Sequence, residues 1–141
     1  MAAPYRIRRP QVGLTKAAAV DHEGFKLYLD RLMKLIPAEV VGLYLIGAGF
    51  IPEGQSVALV VWACVGLAGV VVVRAYGTAD AASALPTDWV HVAISCVAYA
   101  IWVYTLGGPF AAYHLYLPWV GSVMVLVWTF FSPYVYKGPP D

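Results

Sequence analysis

Few side chains in this sequence are of a type that does chemistry, and most of those that are lie inside apolar runs. Glu39 stands near the start of one such run, His91 and His114 in two others, and the thiols of Cys64 and Cys96 in similar surroundings. A carboxylate in a membrane segment is a functional candidate by default, as charge there is costly. Glu39, however, follows Pro37 by two residues. A helix starting at Pro37 puts proline at N1, where its missing N–H costs nothing. Glu39 then falls at N3, where a carboxylate reaches unpaired N–H groups and complements the positive helix end. The readings of Glu39 are therefore a helix-start acid, a partner in a salt bridge, or a member of a charged ring at a pore mouth.

Asp88 or Thr87 can cap a helix whose first turn contains His91. That placement makes His91 an interfacial polar residue, or a pH-sensitive one beside a carboxylate. His114 falls at the opposite end of the neighbouring segment, so the two imidazoles cannot ligate one haem iron within a chain. Burial raises a thiol's pKa, which suits Cys64 and Cys96 to packing and not to redox or metal work. Ser95 and Ser122 lack an identifiable base. The sequence contains no phosphate-binding glycine loop and no zinc spacing. No catalytic residue, cofactor or metal is therefore expected, and an enzyme is not.

The elements that position these residues follow from hydropathy. Residues 37–51, 57–73, 89–106 and 110–131 form four apolar segments, punctuated by Pro52, Arg74, Gly107-Gly108-Pro109 and Ser132-Pro133. Spanning lipid requires helices or closed barrels, because every backbone group must be satisfied internally. Continuous runs near the ~20 residues that cross a bilayer mean helices. The first, at ~1.5 Å per residue, reaches only ~22 Å, so a kinked continuation from the preceding helix is expected. Pro118 is expected to kink the fourth. The predicted fold is an all-α membrane protein with four transmembrane helices in residues 37–136 and a short tail, 137–141.

Two elements precede the bundle. Residues 1–20 read as a basic arm. Residues 21–36 read as an amphipathic helix presenting Phe25, Leu29, Leu32, Met33 and Ile36 on one face. Such a helix lies in the headgroup layer or against a partner. Stripes of small residues, among them Gly42 and Gly49 in the first segment and Gly66 and Gly69 in the second, predict close helix packing.

Composition agrees. Apolar residues make up 61% and charged residues 12% of the 141-residue chain, against about 45–50% and 25% in soluble domains. Net charge is only +1, yet residues 1–36 hold seven basic and three acidic side chains. By the positive-inside rule that excess puts the N-terminus in the cytoplasm, and four crossings return the C-terminus there. A bacterial inner membrane is the expected location. Arg8-Arg9 lacks the apolar stretch of a twin-arginine signal, and the patch is too small for nucleic acid. Arg6, Arg8, Arg9, Lys26, Arg31 and Lys34 are the expected contacts to anionic headgroups or a partner.

The predicted function is a non-enzymatic anchor or scaffold subunit that self-associates or docks into a larger membrane complex. The alternative is a homo-oligomeric pore lined by Glu39, Tyr44, Ser95, Thr105, Tyr113 and Ser122. A small transporter ranks third, since Pro118 breaks only one helix.

Overall fold

In the computed structural model, which describes residues 4–7, 19–79 and 86–138, the apolar runs fold into helices, the last of them into two, and the described residues contain no strand. The helices are α1 (Ala19–Leu35), α2 (Ala38–Phe50), α3 (Ser56–Thr78), α4 (Trp89–Thr105), α5 (Gly108–Ala112) and α6 (Pro118–Val135). Taken through its break, Glu23–Phe50 is long and apolar enough to cross a bilayer. So are Ser56–Thr78 and Pro118–Val135, and Trp89–Thr105 is a shorter apolar helix of 17 residues. This is a helical bundle of an integral membrane protein. Large apolar side chains such as Leu45, Val61, Leu126 and Phe130 are exposed on its outside, which is the arrangement lipid solvates.

Proline chemistry accounts for the breaks. Pro37 has no N–H to give to Met33, and α1 stops one residue before Ile36. The chain resumes as α2 with Pro37 in the N-cap position. The expected helix over 110–131 is instead two. Leu117 is extended, as a residue before proline prefers, and Pro118 opens α6 at N1, so it starts a helix where a kink was expected. His114, at φ 58°, turns the chain between α5 and α6; histidine is among the residues that tolerate the left-handed region.

The end of α6 also differs from expectation, since Ser132-Pro133 lies inside it. Pro133 cannot donate to the carbonyl of Thr129, four residues earlier. The Tyr28 hydroxyl of α1 donates to that carbonyl instead, at 3.1 Å. A side chain from another helix thus repairs the ladder, and α6 runs on to Val135.

Neighbouring helices α2, α3, α4 and α6 run antiparallel, and α4 contacts all the others. Its side chains Val92, Ala98, Tyr99, Ile101 and Val103 are buried. The core centres on Val40, Val41, Tyr44, Val70, Tyr99 and Val103. Of the glycines expected to pack, two do. A Cβ at Gly66 would strike the Tyr99 ring, and one at Gly69 would meet Val40 at 3.7 Å. Gly42 and Gly49 face open space; the close glycine of α2 is Gly47, against Trp62. The helical period places residue 47 toward α3, where Trp62 Nε1 donates to the Tyr44 carbonyl at 3.0 Å.

The amphipathic helix leaves much of its apolar face on the outside of the bundle. Phe25 and Met33 are 61% and 75% exposed. Tyr28, Arg31 and Lys34 are half-buried and Leu35 is fully buried. Phe25, Leu29 and Met33 of its apolar stripe are left outside, Leu32 and Ile36 are half-buried, and Tyr28 and Leu35 serve the bundle.

Candidate functional site

The break at Pro37 leaves carbonyls at the end of α1 without helical partners. Side chains from α3 and α4 supply them, and the result is a buried polar cluster at one end of the bundle. Arg74 of α3 is fully buried. Its Nη2 donates to the Ile36 carbonyl at 3.0 Å and to Glu39 Oε1 at 2.9 Å. His91 of α4 is also fully buried, and its Nε2 lies 3.1 Å from the Lys34 carbonyl. A carbonyl only accepts, so Nε2 carries the proton in this arrangement. Cationic and N–H groups at a helix C-terminus also complement its dipole.

A second layer holds these side chains. Asp88 caps α4, accepting from the His91 amide at 3.1 Å. Its other oxygen accepts from the Tyr136 hydroxyl. The Asp88 amide donates to Thr78 Oγ1 at 3.1 Å, and Thr78 donates to the Arg74 carbonyl at 2.7 Å. The ends of α1, α3, α4 and α6 are thereby joined through hydrogen bonds that none of them could make alone.

Residues 4–7 close the cluster. The Tyr5 amide donates to the Gly77 carbonyl at 3.1 Å. The Tyr5 ring covers the Arg74 guanidinium at 4.1 Å, a cation–π contact that is stronger when desolvated. A Cβ at Gly77 would collide with that ring. Arg6 donates to the carbonyls of Thr78 and Pro86, at 3.3 and 3.1 Å. Its own carbonyl accepts from Lys34 Nζ at 3.4 Å. Ile7 is 1% exposed, packed with Leu35 and Tyr136. Gly138, at φ 97°, admits the Ile7 backbone where a side chain would not fit. The N-terminal segment is a strap laid across the bundle end.

Glu39 sits in the first turn of α2, without a side-chain cap bond. Pro37 is the N-cap and not N1, so Glu39 is one position earlier than expected and turns to Arg74. Lys34 and Arg6 point into the cluster, Lys34 also pairing with Asp30 at 2.8 Å. Lys26 is exposed and Arg31 half-buried. Arg8 and Arg9 lie outside the described residues. His91 is fully buried among the helix ends at the strap end of the bundle. The supposed polar stripe is not gathered into one passage. Thr105 donates to the Ile101 and Gly121 carbonyls and Ser122 to that of Pro118. Tyr44 and Ser95 are buried, whereas Tyr113 is exposed.

Arg74, Tyr136 and the strap were missed from sequence as members of a site, and Asp88 was read there only as a cap. One signal for Arg74 was available: a charge with helix-compatible residues on both sides must either end the helix or find a counter-charge, and Glu39 lies at the matching depth. The arrangement holds no nucleophile–base pair, and among the described residues no group of His, Cys, Asp or Glu is placed to hold a metal. What it can do is fasten. Comparison with known proteins finds no matching family model, curated protein or solved structure.

Proposed function

We propose that this chain is a non-enzymatic membrane anchor that holds its basic N-terminal arm at the bilayer surface, where the arm self-associates or docks the protein into a larger complex. The strap carries the reading. The densest polar chemistry among the described residues is spent on fastening residues 5–7 to the ends of membrane helices, so the arm that follows leaves from a fixed point. The exposed Lys26 and the outward apolar stripe of α1 suit a helix lying among anionic headgroups.

In this proposal α2, α3, α4 and α6 are the four crossings. Helix α4 is ~25 Å long at 1.5 Å per residue, short of ~30 Å of hydrocarbon. It nevertheless meets α6 from the Asp88–Tyr136 contact at one end to Thr105–Gly121 at the other. Arg6, Lys34, Arg74 and Lys137 fall at the strap end, which favours placing both termini in the cytoplasm of a bacterial inner membrane.

Crosslinking in native membranes, followed by gentle extraction and sizing, tests the proposal. A species larger than one chain is expected, reduced toward one chain by removal of residues 1–7. A monodisperse single chain with its arm intact would overturn it. Ion conductance in planar bilayers that Glu39→Gln abolishes would replace it with the pore reading.

A further inference from the structure

At the opposite end of the bundle from the strap, a groove of about 310 Å³ lies between α3 and α4. Ala63 and Leu67 of α3 form one wall, Tyr99 and Val103 of α4 the other, and Phe110 and Leu115 close the end. Two tyrosines line the groove: the Tyr99 hydroxyl already donates to the Ala63 carbonyl at 3.1 Å, and Tyr113 stands at the exposed rim. A water needs two to four polar partners, and much smaller apolar cavities stay dry. Left empty, the walls would forgo their dispersion contacts.

The groove is an open furrow between two helices, not a socket enclosed on all sides. Its mouth is continuous with the exposed apolar surface, since Cys64, Leu67 and Ala100 are both lining and exposed. In a membrane-embedded bundle that surface is the lipid interface. We infer that the α3–α4 groove is a binding site for one hydrocarbon chain of a bilayer lipid, held between Leu67, Tyr99 and Val103 under Phe110. The inference rests on the membrane reading of the bundle and is independent of the anchor function.

The test uses the full chain in nanodiscs of phosphatidylcholine bearing a photoreactive diazirine on one acyl chain. After irradiation, adducts are mapped by mass spectrometry. Labelling of Leu67, Ala100 and Val103 is expected several-fold above that of Val123, Leu126 and Val127, which face outward or partly outward on α6. Ala100→Phe, which fills the mouth from an exposed position, should bring groove labelling down to the α6 level. Equal labelling of groove and α6 in the unaltered chain would overturn the site without help from any variant. Absence of label on both would overturn the membrane reading itself. Efficient Cys64–Cys64 crosslinking between copies would also sink the inference, by showing that a second chain covers the groove.

Discussion

Glu39 and Arg74 are best understood as a pair of unequal burial. Arg74 is fully enclosed, while the Glu39 side chain is 40% exposed. Removing one partner of a buried ion pair costs about 3–5 kcal/mol, because the other charge is left uncompensated. Because Glu39 is partly exposed, Glu39→Gln is expected to fall below that range, at about 2–3 kcal/mol. Arg74→Met in the same chain should restore part of that loss, since the pair then leaves no uncompensated charge, although the Ile36 carbonyl loses its donor. Unfolding in detergent, followed by circular dichroism, measures both. If Glu39→Gln changed stability by less than the error, the pair would be incidental. His91→Leu orphans the Lys34 carbonyl and is expected to cost about 1–3 kcal/mol.

Between helices, the coupling of Tyr28 to Pro133 makes a sharper prediction. Tyr28→Phe should cost about 0.5–1.5 kcal/mol in the unaltered chain, the worth of a net hydrogen bond. In a Pro133→Ala background it should cost little, because residue 133 then donates to Thr129 itself. A double-mutant cycle reads that difference directly; additive effects would show that the hydroxyl does not repair the helix. The glycines separate in the same way. Gly66→Ala forces Tyr99 aside, and overpacking of this kind costs about 1–3 kcal/mol. Gly42→Ala meets open space and should be neutral or gain up to about 1 kcal/mol from helix propensity. Should Gly42→Leu alter the size of the extracted species without lowering stability, α2 would also be a face between copies.

For the molecule as a whole, the strap end and the groove end do different work. Deleting residues 1–7 uncovers Arg74 and frees the Thr78 and Pro86 carbonyls. The expected result is a bundle that is still helical and membrane-bound, with faster amide hydrogen exchange at Gly77–Thr78 and Asp88–His91. Unchanged exchange there would mean that the strap is not holding the helix ends. Reporter fusions at Met1 and Asp141 should fall on the same side of the membrane.

Much of this architecture was legible beforehand. Continuous apolar runs specify helices, because lipid leaves the backbone no other partner. Pro37, Pro52 and the Gly107-Gly108-Pro109 stretch marked real breaks for the same local reason, a missing N–H or a left-handed turn. The Asp88 cap was legible because it acts across three residues. Tertiary structure alone decided that Pro133 does not end a helix, that Arg74 and His91 are enclosed at the strap end, and that Gly47 packs where Gly42 does not. Each depends on a partner far along the chain: Thr129 waits on Tyr28, Glu39 on Arg74, the α1 carbonyls on His91. Hydropathy reports how a residue prefers to be solvated, and says nothing of which distant side chain will arrive to satisfy it.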